Sequence, residues 1–456
     1  MFIIKADNAL LPDGWQNNVY VHIKSLGKID RVTTSLDSGN PDTHVSHLLP
    51  APVNAHSHAF QRAMAGLTEH RGRNNGDSFW TWRELMFHFL DQLTPDHIEA
   101  ITAFVQMEML EAGYATNVEF HYLHHSPDGT PYDNRGEMAS RIMAATELSG
   151  IGLTLLPVHY QYGGCDSRPL TKGQCRFHNN LDGFANLCDI IRAGLTALPA
   201  NTVFGVAPHS LRAVAPDSFA ISRALAQGGP FHMHLAEQLA EVEEVKKYLG
   251  ARPVEWILNN VDVDDSCCFV HCTQMQPHET KGLAKSGATA VLCPITESNL
   301  GDGIFDGVSW LDAKGTIAIG SDSNIQISLA EEIRTLEYSQ RLRDHSRSAL
   351  ASDDKSSGRR IFDEITRGGA IAAGRKTGKI AVGYWADLLA LKSSDDLHVG
   401  SKTDIILDKF VFAGHRDQLT DVWSAGQHVV SEGRHKNRDS ISKKYKCTVS
   451  SLKTDV

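Results

Sequence analysis

The segment "FHMHLAEQ", residues 231–238, carries two histidines and a glutamate within eight positions. Side chains of a β-strand alternate between its two faces, so His232 and His234 are expected to point in the same direction. Nearly the same histidine spacing occurs in "VNAHSHAF", with His56 and His58. Both segments begin with an apolar residue and place their histidines further along, which is typical of a buried strand whose carboxyl end carries functional groups.

Eight apolar runs of this kind recur between residues 48 and 324, and most end in polar residues. The stretches between them carry helical signals. Thr94 and Pro95 form an N-cap followed by a first-turn proline, and Gly113 is expected to end that helix. A second helix is predicted over "EQLAEVEEVKKYLG". Strands that alternate with helices eight times predict an α/β fold with a parallel (β/α)8 barrel, in which the carboxyl ends of the strands carry the active site.

The two ends of the chain do not follow this alternation. Residues 1–50 and 378–435 contain short alternating apolar segments. We expect them to form one small β-sandwich domain beside a barrel of residues 51–377, and a chain of 456 residues is long enough for both. Residues 436–456 are polar and lack a clear period, so a loosely ordered tail is expected there.

Composition and charge narrow the range of partners and compartments. The formal net charge is −10 and no basic stripe is present, which argues against a nucleic-acid partner. No apolar run reaches the length of about 18 residues that a membrane span needs. The first residues are interrupted at Lys5, Asp7 and Asn8, unlike a secretory signal. Eight scattered cysteines without a C-x-x-C pair favour a reducing, cytoplasmic location.

Other strand ends add suitable groups to the two histidine pairs. The fifth strand also supplies Glu237, the sixth supplies His271 and the eighth supplies Asp322. Neutral imidazole suits zinc and similar divalent metals, and a catalytic zinc site leaves one position open for water. Any one of these residues could be a hydrogen-bonded core side chain. Their convergence at one barrel mouth predicts a metal centre.

The order of these motifs is H-x-H, then H-x-x-E, then a strand-six histidine, then S-D. It resembles the amidohydrolase superfamily in its mononuclear deaminase branch, and "GKIAVGYWADLLAL" resembles that superfamily's return to the small β-domain. Binuclear members use a carboxylated lysine on strand four, and the run "TVFGVAPHSLRA" contains no lysine. The resemblance therefore implies one divalent metal ion, expected to be Zn2+ although iron is equally compatible with such ligands. The implied ligands are His56, His58, His234 and Asp322.

The H-x-x-E spacing separates the two histidines of the fifth strand. Counting back three residues from Glu237 selects His234, not His232, as the ligand. Residues two apart on one strand face lie about 6–7 Å from each other along the strand. His232 is therefore expected one layer deeper in the barrel, where it packs or hydrogen-bonds with neighbouring groups.

The resemblance also implies how the reaction proceeds. Metal-bound hydroxide adds to the carbon of a C=N bond, and ammonia leaves after its nitrogen has been protonated. Asp322 would accept the proton of the water and Glu237 would carry a proton to the nitrogen. His271 would hydrogen-bond the water or the developing oxygen.

The substrate is indicated by "HSHAFQRAMAGLTEHRG" followed by "SFWTWREL", with "EFHYLHH", "APHSLRAV" and "GSDSN". This combination resembles a family of deiminases in bacterial histidine degradation that hydrolyse N-formimino-L-glutamate to N-formyl-L-glutamate and ammonia. The two carboxylates of that substrate match guanidinium groups. Trp80 and Trp82 are expected to pack or to wall the pocket rather than to take part in the chemistry. The implied substrate-binding residues are Gln61, Arg83, Tyr122, His209 and Arg212.

Three alternatives remain open at this point. Deamination of a purine or related heterocycle would need aromatic stacking and few carboxylate-binding groups. Hydrolysis of imidazolonepropionate is a further reaction within the superfamily. A barrel that serves only as a scaffold is disfavoured, because it need not retain the whole set of candidate ligands and proton carriers. A homodimer is expected, and the sequence does not separate formiminoglutamate from formiminoaspartate.

Overall fold

The computed structural model describes residues 2–36, 39–69, 79–393, 403–414 and 416–452, without the side chains of Phe79, Trp80 and Arg416. The strands among them, in chain order, are β1 (Phe2–Leu11), β2 (Gly14–Ile23), β3 (Ile29–Thr33), β4 (Thr43–Pro50), β5 (Val53–Ser57), β6 (Thr116–His121), β7 (Gly152–His159), β8 (Val203–Phe204), β9 (Ala207–Pro208), β10 (Phe231–Leu235), β11 (Cys267–His271), β12 (Thr289–Leu292), β13 (Thr316–Ile319), β14 (Leu388–Leu391), β15 (Leu419–Ser424), β16 (Gln427–Ser431) and β17 (Arg434–His435).

The α-helices of the described residues are α1 (Phe79–Leu90), α2 (Pro95–Glu111), α3 (Glu137–Ser149), α4 (Leu181–Leu195), α5 (Ser218–Leu225), α6 (Leu239–Leu249), α7 (Pro253–Asn260), α8 (Pro277–Lys285), α9 (Pro294–Leu300), α10 (Gly307–Asp312), α11 (Leu329–Asp344), α12 (Ser357–Ala372), α13 (Ile405–Phe412) and α14 (Arg438–Ser451). Single 3-10 turns cover Ala59–Met64, Lys172–Phe177 and Arg416–Gln418. Within the described ranges, no helix is both long and apolar enough to cross a membrane.

Strands β5 to β13 form the predicted parallel barrel, with β8 and β9 together as its fourth strand. Hydrogen bonds join β5, β6, β7 and β8 in one sheet, with β9 beside β7, and β10 to β13 in another. Parallel bridges between Val206 and Phe231 and between Ser57 and Asp322 connect the two sheets into a closed barrel. Every residue of β5, β6, β7, β10, β11 and β12 is buried, as expected for strands covered on both faces. The eight predicted apolar runs are confirmed as its strands.

Two predicted helices begin and end where the sequence indicates. The side chain of Thr94 accepts a hydrogen bond from the His97 amide at the start of α2, and Pro95 is its first residue. Gly113 follows that helix with a φ of +101°, a conformation that glycine adopts without strain. Helix α6 lies within the second predicted segment and ends before Gly250, which is left-handed.

The last turn of α12 approaches the amino-terminal end of the barrel strands. A Cβ atom at Gly368 would lie 1.9 Å from the Ile317 carbonyl oxygen, so only glycine permits this approach. Ala372 at the end of the helix packs with inward-facing barrel residues, among them Val270 and Val291. The helix terminus therefore fills the end of the barrel that lies opposite the candidate ligands.

Both chain ends contribute to one small β-domain, as predicted. Its eight strands follow the order β17-β16-β15-β14-β4-β1-β2-β3. The two parts of the chain meet at β4, which pairs in parallel with β1 and antiparallel with β14. Hydrogen bonds join these strands into one continuous sheet, whereas the expected sandwich consists of two. Ile4, Val21, Leu388 and Trp423 are part of its separate buried core.

For residues 436–452 the prediction of a loosely ordered tail was wrong, because α14 packs against α2, and residues 453–456 lie outside the described part of the chain. Ile441 is buried and the Tyr445 ring stacks on the Phe104 ring with centroids 3.9 Å apart. Val449 lies one helical turn further on and also packs against the core. This narrow stripe of apolar residues at helical spacing is surrounded by serines and lysines. The segment is therefore polar in composition although one of its faces is apolar.

Candidate active site

Three imidazoles and one carboxylate converge at the carboxyl ends of β5, β10 and β13. The Nε2 atom of His56 lies 3.1 Å from Nε2 of His58 and 3.1 Å from Nε2 of His234. Oδ1 of Asp322 lies 3.5 Å from His56 Nε2 and 3.3 Å from His58 Nε2. Tetrahedral ligand atoms about 2.0–2.1 Å from a zinc ion would be about 3.3 Å from each other. The three histidines therefore have the spacing of a single metal site, and the Asp322 carboxylate lies beside two of them.

The other ring nitrogen of two of these histidines is already engaged. His58 Nδ1 lies 3.0 Å from the carbonyl oxygen of Phe120, and His234 Nδ1 lies 3.1 Å from that of His209. Because a carbonyl only accepts, each Nδ1 carries the hydrogen and each Nε2 presents a lone pair. Burial lowers the pKa of His56 to about 3 and also lowers those of His58 and His234. The rings are therefore neutral, which is the form that binds a metal.

Asp322 and His271 both have left-handed backbone, with φ of +47° and +72°. Such conformations are costly for residues other than glycine and cluster at functional sites. The Asp322 amide donates to the carbonyl of His56 at 3.0 Å, and its carbonyl accepts from the His58 amide at 2.9 Å. Burial would raise the pKa of Asp322, but the imidazoles of His56 and of the charged His271 bring it below its usual range. The carboxyl group is therefore ionised.

His271 lies among three carboxyl groups. Its Nε2 is 3.8 Å from Glu237 Oε1 and 4.0 Å from Asp322 Oδ2, and its Nδ1 is 3.3 Å from Glu297 Oε1. Burial lowers the pKa of His271, but Glu237, Glu297 and Asp322 raise it well above its ordinary value. Burial also raises the pKa of Glu237 to about 7. A carboxyl group with that pKa can both accept and release a proton near neutral pH.

A pocket opens directly over these groups, and its walls include Trp82, Met86 and Leu300. The structure brings all predicted site residues together in or directly beneath this pocket. Ser78 and the side chain of Trp80 in "SFWTWREL" lie outside the described residues. The polar residues of the pocket lining that the sequence predicts for substrate binding are Gln61, Arg83, Tyr122, His209 and Arg212.

Two arginines bring positive charge to the pocket. Burial lowers the pKa of His209, and the charges of Arg212 and Arg83 lower it further, so the imidazole is neutral. Burial acts to lower the pKa of Arg212 as well, but Glu241 and Glu237 outweigh it and the guanidinium stays charged. A pocket with two cations beside a neutral imidazole is suited to a substrate with more than one carboxylate.

Gln61 and Tyr122 form a second polar group of the pocket. Gln61 Nε2 donates to the Tyr122 hydroxyl at 2.9 Å. Burial raises the pKa of Tyr122, so its hydroxyl is protonated. The Gln61 Oε1 atom is buried and accepts no hydrogen bond from the described residues. A buried acceptor without a protein donor leaves one hydrogen bond to be supplied by water or by a bound molecule.

His232 does not belong to the candidate ligand set. Its Nε2 donates to the carbonyl oxygen of Ala372 at 2.8 Å, at the end of α12. Burial lowers its pKa to about 4, so the ring is a neutral donor. The group of converging ligand atoms contains His234 of the same strand. The deeper position expected for His232 agrees with this hydrogen bond.

Several supporting residues were not identified from the sequence, Glu297 among them. Glu119 Oε1 accepts from the Ala59 amide at 2.7 Å and so shapes the turn after β5. Asn324 Nδ2 donates to the carbonyl oxygens of His58 at 3.2 Å and Asp322 at 3.1 Å. These hydrogen bonds connect the segments that follow β5 and β13, the first and last strands of the barrel. A usable signal was present for Glu119, because an acid within a fully buried strand needs a partner.

Comparison with known sequences gives two family matches. Residues 47–429 match the Amidohydrolase family, and residues 1–42 match the family described as "Formimidoylglutamate deiminase HutF, N-terminal domain". The Formimidoylglutamate deiminase of Pseudomonas aeruginosa is 43% identical over 449 residues, which are 98% of each chain. A 5-methylthioadenosine/S-adenosylhomocysteine deaminase of Natronomonas pharaonis is 26% identical over 364 residues, 79% of this chain and 76% of that protein.

Solved structures give the same picture of the fold. The crystal structure of an amidohydrolase from Brucella melitensis superposes with a TM-score of 0.94 at 44% identity, covering 99% of this chain and 100% of that one. An adenosine deaminase from Xanthomonas campestris with bound zinc superposes with a TM-score of 0.81 at 21% identity, covering 99% and 98% of the two chains. The second likeness concerns the fold alone.

Proposed function

Because the chain belongs to the amidohydrolase family, and its amino-terminal residues match the deiminase domain, we propose that it hydrolyses N-formimino-L-glutamate. The products are N-formyl-L-glutamate and ammonia, and the reaction is a step of histidine degradation. The observation that carries this function is the presence of Arg83 and Arg212 in one pocket with a set of neutral histidines and an ionised aspartate. The arginines suit the two carboxylates, and the histidine-aspartate set suits hydrolysis at the C=N carbon.

The ligand set supports one divalent cation, for which we propose zinc. The donors are three neutral imidazole nitrogens and one carboxylate oxygen, a combination that zinc accepts readily. When bound, the cation lowers the pKa of a water molecule and so makes a nucleophile available at neutral pH. Its proposed ligands are His56, His58, His234 and Asp322. Metal analysis of the purified protein, followed by chelation and reloading with zinc, iron or manganese, tests the identity of the metal.

We assign the proton transfers to residues beside the ligands. Asp322 accepts a proton from the water that adds to the formimino carbon. Glu237, with a pKa near 7, delivers a proton to the terminal nitrogen, and the proton that Asp322 took from the water restores Glu237. The remaining hydroxyl proton of the adduct then passes to the same nitrogen, the bond between this nitrogen and the carbon breaks, and ammonia leaves as the carbonyl forms. His271 donates a hydrogen bond to the oxygen that forms on the carbon. Water thereby replaces the imino nitrogen by a carbonyl oxygen, and no redox change occurs.

The remaining polar residues are proposed to orient the substrate. Arg83 and Arg212 bind its two carboxylates, and the Tyr122 hydroxyl and His209 contribute further hydrogen bonds. Gln61 Oε1 is available to accept from the N–H group that links the formimino carbon to the glutamate part. Orientation by several groups brings the C=N carbon over the ligand set, which lowers the entropic cost of the reaction.

Product analysis tests this function directly. Zinc-loaded protein should release one ammonia from each N-formimino-L-glutamate and leave N-formyl-L-glutamate. Release of formamide and glutamate would show that the other C–N bond is cleaved. Adenosine and 5-methylthioadenosine serve as controls, and turnover of either one in place of formiminoglutamate would favour a purine deaminase.

We further propose that the enzyme is a homodimer of the cytoplasm. Its eight cysteines are all free, which suits a reducing compartment. The side chains of Tyr338 and Leu342 are 39% and 77% exposed on α11 and offer an apolar contact surface. Light scattering measures the oligomeric state, and cell fractionation measures the location.

A further inference from the structure

Arg83 is held by a hydrogen-bonded pair that lies behind the pocket wall. Its Nη2 donates to the Tyr160 hydroxyl oxygen at 3.0 Å, and Gln174 Nε2 donates to the same oxygen at 2.8 Å. A phenol oxygen has two lone pairs, so these two donors use both. Tyr160 and Gln174 are 2% and 3% exposed, and solvent therefore competes little for these hydrogen bonds.

The orientation of the Gln174 amide is itself determined. Its Oε1 accepts from the Thr171 amide at 2.9 Å and from the Thr171 hydroxyl at 3.0 Å. Both of these groups can donate, so the oxygen side of the amide faces Thr171 and the nitrogen side faces Tyr160. Thr171, at the start of the 3-10 turn Lys172–Phe177, thus fixes Gln174 and, through it, the Tyr160 hydroxyl that accepts from Arg83.

This turn is attached to α1, the helix that carries Arg83. The buried guanidinium of Arg176 donates to the carbonyl oxygens of Leu90 and Leu93 at the end of that helix. A Cβ atom at Gly173 would lie 2.5 Å from the Phe87 ring, so the turn contacts α1 more closely than any other residue would allow. The turn, Tyr160 and α1 therefore form one packed unit.

We propose that Tyr160 is a positioning residue for carboxylate recognition, acting through Arg83. The proposal rests on the proposed function, in which Arg83 binds a substrate carboxylate. A long arginine side chain loses conformational freedom when it binds, and a fixed acceptor removes part of that cost before the substrate arrives. The Tyr160 ring also packs edge-on against His209, with centroids 4.8 Å apart, and so contacts a second residue of the pocket lining.

The test is the pair Tyr160→Phe and Tyr162→Phe, in holoenzyme with N-formimino-L-glutamate as substrate. Phenylalanine at position 160 keeps the ring but removes the oxygen that accepts from Arg83 Nη2 and Gln174 Nε2. We expect KM to rise roughly 10-fold, while kcat stays within about threefold, because the loss affects binding rather than chemistry. Tyr162 makes no side-chain hydrogen bond within the described part of the chain, so its variant should behave as wild type.

A double-mutant cycle with Arg83→Ala separates positioning from packing. In that background Tyr160→Phe should raise KM no further, since its effect passes through Arg83. A second rise of the same size, an unchanged KM in the single variant, or a fall in kcat alone would each overturn the proposal. If Tyr160→Phe does not fold, Gln174→Met removes one donor to Tyr160 and should still raise KM.

Calorimetry with the product N-formyl-L-glutamate gives a readout that does not depend on turnover. Tyr160→Phe should raise the Kd for this product by the same factor as KM. Equal affinity in variant and wild type would contradict the proposed role of Tyr160 but would leave the proposed function standing. A wild-type protein that neither turns over formiminoglutamate nor binds this product would overturn the proposed function, and the role of Tyr160 with it.

Discussion

His271 and Glu297 form a buried pair at the base of the candidate active site, with 3.3 Å between Nδ1 and Oε1. The same Oε1 atom accepts from the Cys293 amide at 2.8 Å, so the carboxylate is held in place by the start of α9. A histidine whose Nδ1 is engaged in this way presents Nε2 in a defined direction. Here that direction is toward Glu237 and Asp322.

Replacing Glu297 by glutamine should therefore impair catalysis while the ligand set stays intact. Glutamine keeps the size of the side chain but removes the charge that holds and polarises His271. We expect kcat/KM to fall about 10- to 100-fold, in line with other residues that orient a histidine at a metal centre. Steady-state kinetics and metal analysis measure the two effects separately. Loss of the metal would show instead that Glu297 supports the ligands.

Alanine at the two histidines of β10 should have different consequences. His234→Ala removes one of the converging ligand atoms, so tight metal binding and activity should be lost. His232→Ala removes the donor to Ala372, which should lower the free energy of unfolding by about 1–3 kcal/mol and leave the metal in place. Metal analysis and denaturant unfolding distinguish the variants. Equal metal loss from both would mean that the H-x-x-E spacing misidentifies the ligand.

Glu119 should make stability fall as pH rises. Burial raises its pKa from 4.5 to about 7, so between these values the folded state holds a proton that the unfolded state releases. Its stabilising contribution is fully present below about pH 4.5 and is lost as pH rises through about 7, by up to about 3 kcal/mol. Denaturant unfolding at several pH values measures the contribution of Glu119 to the free energy of unfolding. The experiment compares chelator-treated wild type with the chelator-treated Glu119→Gln variant. The same dependence of unfolding free energy on pH in the two proteins would contradict this prediction.

The two pocket arginines should determine substrate class. Arg83→Ala and Arg212→Ala should each lower kcat/KM for N-formimino-L-glutamate by at least about 100-fold, because each leaves one carboxylate unpaired. Arg434→Ala is a matched control, since that side chain is 55% exposed in the small domain and should be neutral. Full activity on the true substrate after loss of either pocket arginine would favour a neutral base as substrate.

The carboxyl-terminal helix should contribute to stability and not to catalysis. Tyr445→Ala removes the stacked contact with Phe104 and should cost about 1–3 kcal/mol of unfolding free energy. The kinetic constants should remain those of the wild type, because α14 contacts α2 rather than the pocket. Thermal unfolding combined with steady-state kinetics checks both statements. An unchanged melting temperature would show that α14 is not part of the folded unit.

The sequence alone determined the barrel and the residues that converge at its mouth. Short apolar runs in the sequence predict the positions of the barrel strands, and those runs coincide with β5 to β13. The position of Glu237 predicted His234 and not His232 as a ligand, and His234 is the one that lies among the converging imidazoles, because both the motif and the strand period act over a few residues. The family resemblance added the pocket residues, such as Arg83 and Arg212, which the structure brings together.

Only the tertiary structure decided the contacts between distant parts of the chain. The pairs Glu297 with His271 and Tyr160 with Arg83 depend on barrel closure and on the packing of the 3-10 turn against α1. Tyr445 likewise finds its partner on α2, several hundred residues earlier. Local periodicity reports which face of an element is apolar, but a hydrogen bond between two elements depends on where each comes to lie. That position is set by the packing of the whole domain.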